Sequence, residues 1–127
     1  MCGIVGIVST EPVNQQVYDA LLLLQHRGQD SAGIATSEGS QLHWHKTKGQ
    51  VREGFRTRDM RALPGNVGLG HVRYATAGAA KNEEEAQPFY VNAPYGIILV
   101  HNGNLTNTRE LTNDLFSIDR RHVNTSS

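Results

Sequence analysis

The sequence predicts an α+β fold in which layered sheets are flanked by helices, and three observations predict it. Residues 3–9 and 97–100 are runs that are apolar at successive positions, as in strands covered on both faces. Between them, Val13, Val17, Ala20, Leu21 and Leu24 recur at helical spacing. Strand-like segments also come in pairs joined by turn residues, which suits stacked sheets better than a doubly wound parallel sheet.

Taken in order, residues 3–9 form a first buried strand. Pro12 fits the first turn of a helix over roughly residues 13–26, with Gly28 as its C-cap. Gln29-Asp30-Ser31 turns into a short strand from Ala32 to Thr36, Ser37-Glu38-Gly39-Ser40 makes a hairpin, and Gln41 to Lys48 returns. In the returning strand Leu42 and Trp44 alternate with His43 and His45. Val51, Phe55 and Leu63 mark a second, weaker helix with Gly54 and the charged residues facing water, and residues 63–66 read as a turn. The segment from Val67 to Thr76 begins as a strand whose two glycines permit close backbone approach. Residues 77–87 read as a polar surface loop. Residues 88–92 and 95–101 form another hairpin, whose second strand is fully buried. Asn107 with Glu110 has capping-box spacing and opens a helix with Leu111 and Leu115 on its inner face. Beyond Ile118 the chain is polar, and its ending looks like an interruption.

Bulk properties exclude several classes. Twelve basic and twelve acidic side chains cancel, so no global field draws the chain to nucleic acid or an anionic membrane. No run is long and apolar enough to span a bilayer, and no basic region precedes the N-terminal apolar segment, so a cytoplasmic location is expected. A single cysteine rules out an internal disulfide and a cluster held by several thiolates of this chain.

That cysteine, Cys2, stands second. Removal of Met1 is easy when the next side chain is small, and Cys2 would then carry a thiol and a free α-amine that can act as its base. On position alone, the alternative is a small apolar residue near a terminus. Arg73, read as lying in a loop just past a buried strand, can hold a carboxylate bidentately, and Thr76 can add a hydroxyl. On the residues alone, a surface arginine and a threonine that satisfies its own turn are the commoner readings. Asn102-Gly103 offers a side-chain amide and a backbone N–H, the donor types that stabilise an oxyanion, although the same dipeptide is a common tight turn. Arg27, within His26-Arg27-Gly28, could place a cation near the site or could simply favour a helix C-terminus. His43 and His45 share one side of a strand and invite a metal reading. They lack a completing carboxylate or thiol, so no metal is expected and a solvated edge fits better.

Four stretches in order carry a resemblance: Met1-Cys2-Gly3-Ile4-Val5-Gly6, Gln25-His26-Arg27-Gly28-Gln29-Asp30-Ser31-Ala32-Gly33, Gly70-His71-Val72-Arg73-Tyr74-Ala75-Thr76, and His101-Asn102-Gly103-Asn104. Together they resemble the class II glutamine amidotransferases, whose glutaminase domain is an N-terminal-nucleophile (Ntn) hydrolase. Tyr74, Gln87-Pro88-Phe89 and Asn104-Leu105-Thr106-Asn107 make the chain most similar to the amidophosphoribosyltransferase branch. A glucosamine-6-phosphate synthase relative would carry Trp in place of Tyr74.

The resemblance implies a four-layer α/β/β/α sandwich of mainly antiparallel sheets. It implies Cys2 as the nucleophile that forms a glutamyl thioester, with Asn102 and Gly103 as the oxyanion pair. Arg73 and Thr76 would bind glutamine, with Arg27 and Tyr74 in support. It further implies phosphoribosyl pyrophosphate as ammonia acceptor, magnesium in a phosphoribosyltransferase domain, and a homo-oligomer at full length. This chain lacks the thiols of the iron–sulfur members. The family pattern continues past Ser127 with an aspartate for the glutamine amine, so residues 1–127 read as the N-terminal part of the glutaminase domain. Such a fragment is expected to be weakly active or inactive and prone to associate through unpaired edges. Other readings are a class II glutaminase serving a different acceptor, and a non-catalytic binding module of the same fold.

Overall fold

The computed structural model describes residues 1–74, 85–92 and 94–119. Its main sheet has four antiparallel strands: β1 (Gly3–Val8), β2 (Ser31–Glu38), β3 (Gln41–Lys48) and β4 (Val67–Arg73), in the order β1-β4-β2-β3. The chain leaves β1 into helix α1 (Asn14–Leu24), which tightens into a single 3-10 turn, Gln25–Arg27. β2 and β3 are joined by the two-residue turn Gly39-Ser40, with Gly39 at φ +59° as a tight hairpin requires.

One face of this sheet packs on α1. Val13, Val17 and Leu21 are fully buried there against Ala32, Ile34 and Val72. A Cβ on Gly68 would lie 2.8 Å from Val13, and one on Gly70 2.7 Å from Val17, so the missing side chains let the helix settle onto β4. Each fully buried Val or Leu contributes about 1.5–3 kcal/mol.

The residues expected to form one helix after β3 form two short ones, α2 (Val51–Gly54) and α3 (Thr57–Arg61). Phe55 adopts an extended backbone between them, and the Arg56 N–H donates to the Asp59 carboxylate at 2.9 Å, starting a new helix. Val51, Phe55 and Leu63 are all buried as their spacing indicated. Gly54 is not turned to water: a Cβ there would meet the Thr47 side chain at 2.0 Å.

A hairpin of β5 (Phe89–Val91) and β6 (Ile97–Leu99) forms a second antiparallel sheet. It lies over the other face of the main sheet, where Tyr90 stacks on Trp44 at 4.5 Å between ring centres and the Lys46 ammonium sits over Phe89. Expected double-sided burial is found in neither β1 nor β6. Ile4 and Val8 on β1, and Ile97 and Leu99 on β6, are exposed, because side chains alternate and only one face of each strand meets a neighbour among the described residues. Helix α4 (Thr108–Asp119) opens one residue after Asn107, whose carbonyl accepts the Leu111 N–H. Leu111 and Leu115, expected on an inner face, are also exposed.

Candidate active site

The end of the main sheet that carries Cys2 is where most of the candidate residues meet. Gly3 pairs with Val72, so Cys2 and Arg73 lie one step further along adjacent strands, at the same end. The Cys2 carbonyl accepts two hydrogen bonds, from Arg27 Nε at 3.0 Å and from Asn102 Nδ2 at 3.3 Å. Residues 25, 75 and 100 positions apart in sequence relative to one another thus converge on one peptide oxygen. Cys2 itself is half-buried.

Arg73 is the last residue of β4 and is buried, not in a loop beyond it. Its backbone is enclosed: the carbonyl accepts the Asp30 N–H at 3.0 Å, and a Cβ on Gly28 would come within 2.4 Å of its carbonyl carbon. Gly28 is therefore needed for close approach. Its backbone is extended, with φ −168°, and not left-handed as a C-cap glycine would be. The Arg73 guanidinium is paired with the Glu85 carboxylate. Tyr74 follows and is exposed, and Thr76 lies outside the described residues.

Residues 85–87 are buried, where a surface loop was expected. Three polar residues missed at the sequence level do much of the local fixing: Glu85, Gln87 and His71. Gln87 accepts the His101 N–H on its Oε1 at 2.6 Å, and its own main chain sits against Gly33. His71 is fully buried, with Nε2 donating to the His101 carbonyl at 3.2 Å. No periodicity signals these contacts, because each joins elements distant in sequence. Gly103 has φ +153°, which a side chain rarely adopts, so the turn after Asn102 depends on glycine.

Burial, more than any neighbour, pushes the His71 pKa down to about 4; the bond to the His101 carbonyl opposes this, and the charges of Arg73 and His101 add to it. The unfolded chain then takes up a proton that the folded protein does not. Stability is fully present above the ordinary histidine pKa and falls as pH drops from about 6.5 towards 4, by up to about 3 kcal/mol. Denaturant unfolding at about pH 4.5 and about pH 7.5 measures it. His71→Gln is expected to shrink that pH difference, leaving only what the carboxylates contribute.

His45 faces α2 and not a solvated edge, and His43 is half-buried with its Nε2 out of contact with solvent. His45 Nε2 pairs with the Gly54 carbonyl at 2.9 Å, and its ring stands edge-on to Phe55. Among the described residues no group of three or more His, Cys, Asp or Glu side chains is arranged to hold a metal ion.

No family model matches the chain. Over the whole chain it is 60% identical to the amidophosphoribosyltransferase of Pasteurella multocida and 58% identical to that of Pseudomonas aeruginosa. The 127 residues are similar over their whole length to amidophosphoribosyltransferases. They span about a quarter, 25%, of the length of these amidophosphoribosyltransferases. The fold agrees: the glutamine phosphoribosylpyrophosphate amidotransferase of Bacillus subtilis, solved with ADP and GMP, matches the whole chain and 27% of its own at a TM-score of 0.84 and 36% identity. The α+β class with antiparallel sheets is thus shared with that amidotransferase. Among the described residues no helix is long and apolar enough to cross a membrane.

Proposed function

We propose that these residues form the N-terminal part of a glutaminase domain, and that the full-length protein transfers glutamine nitrogen to phosphoribosyl pyrophosphate. The observation that carries the reading is the convergence of Arg27 and Asn102 on the backbone of Cys2, at the strand end that Arg73 shares.

With Met1 removed, the Cys2 amine takes the thiol proton and the sulfur attacks the side-chain carbonyl of glutamine. The negative oxygen that forms is met by the Asn102 amide and the Gly103 N–H. Collapse of the adduct breaks the C–N bond, the amine returns its proton to the departing ammonia, and a thioester remains. Water then hydrolyses the thioester to glutamate and frees the thiol. Arg73 would hold the α-carboxylate of glutamine, with Thr76 beside it and Tyr74 near the entrance. Binding would then require substrate to replace or share the Glu85 carboxylate on the guanidinium.

Ammonia would displace pyrophosphate from the anomeric carbon of the acceptor and give phosphoribosylamine, the opening step of purine synthesis. Acceptor binding, its magnesium and a homo-oligomeric assembly in the cytoplasm belong to this proposal.

Intact mass spectrometry of the full-length protein treated with a diazoketone analogue of glutamine tests the reading. Loss of Met1 and one adduct on Cys2 are expected. A retained methionine with no adduct would overturn it.

A further inference from the structure

Asn102 and Gly103 sit in an irregular segment after β6, so their donors are useful only if the backbone beneath them is fixed. The residue before them, His101, is held at both backbone polar groups. Its N–H donates to Gln87 Oε1 and its carbonyl accepts from His71 Nε2. Both side chains are delivered from inside the protein: Gln87 is 4% exposed and His71 0%.

A carbonyl only accepts, so His71 Nε2 carries a proton and Nδ1 of the neutral ring does not. That Nδ1 is buried without a partner among the described residues. Leaving a buried polar atom unpaired is unfavourable, and an apolar side chain of similar shape would avoid it. Packing alone therefore does not account for a histidine here, whereas the bond to His101 does.

We propose that His71 is a positioning residue for the turn that stabilises the oxyanion. It ties β4, which carries Arg73 two residues further on, to the backbone immediately before Asn102, whose amide in turn meets Cys2. The groups assigned to the substrate carboxylate and to the oxyanion are then set on one rigid bracket, and Gln87 forms its second arm. The inference rests on the glutaminase reading above.

The test compares glutaminase kinetics of the full-length protein with its His71→Leu, His71→Asn and His71→Gln variants. A Gln amide nitrogen reaches the level of Nε2 and restores the donor; an Asn amide stops at the level of Nδ1. The Leu and Asn variants are expected to lose about 10²-fold in kcat, the scale of a misplaced catalytic group, with the KM for glutamine little changed. His71→Gln should stay within several-fold of the parent. Equal kcat in all four proteins, or a loss expressed in KM, would overturn the inference. An inactive parent protein would instead remove the glutaminase reading. Histidine-selective nitrogen NMR of the parent protein checks the same point whatever the variants' folding. A neutral ring protonated on Nε2 at neutral pH supports the role, and a proton on Nδ1 refutes it.

Discussion

Cys2→Ala in the full-length protein is expected to lower glutamine hydrolysis by about four to six orders of magnitude, the range found when a catalytic nucleophile is deleted. The substitution removes only the sulfur. Arg27 and Asn102 bond to the backbone carbonyl of residue 2, and those bonds survive, so the loss would be chemical and not a collapse of the site. Ammonium supplied in the medium bypasses the missing step, so transfer to phosphoribosyl pyrophosphate from ammonium should persist. A glutaminase rate within tenfold of the parent would sink the nucleophile assignment. Retention of a binding function with no hydrolysis in the parent would point to a non-catalytic module.

Gly33→Ala is expected to destabilise the protein by about 3 kcal/mol or more, at or above the upper end for overpacking. The new Cβ would lie 1.9 Å from the Gln87 carbonyl oxygen and 2.7 Å from the Pro88 ring. Neither neighbour is the free end of a flexible side chain, so residues 87 and 88 must move. Gln87 would carry its grip on His101 with it, and kcat should fall together with stability. Gly6→Ala is the matched control, because its Cβ would meet only Leu69 at an ordinary 3.4 Å. Denaturant unfolding and glutaminase assays of both variants decide; equal stability of the two would refute the clash.

Much of the first half was legible because its signals are local. Val13, Val17 and Leu21 mark α1 by their spacing, and Ser37 to Ser40 mark the hairpin by turn chemistry, which here needs only Gly39-Ser40. Exposure was legible only in part. An apolar strand such as Ile97–Leu99 reveals that it can be covered, not which neighbours are there to cover it. Buried polar residues were the least visible. Glu85 reads as one of a run of acids suited to solvent, and its burial is made tolerable by partners such as the guanidinium of Arg73, brought up from β4. Cys2, Asn102 and Gly103 stood out through family motifs. Their supports, His71 and Gln87, lay inside or beside the same motifs but had no chemistry of their own to draw the eye.

The way residue 2 is fastened has one more implication. A polypeptide's first residues are ordinarily its most restless, and a reagent mounted there would wander. Here the tether is a peptide oxygen, so neither the sulfur nor the nitrogen has to serve as an anchor. Both would be at liberty to gain and lose protons, turn after turn of the reaction, while the backbone that carries them stays put.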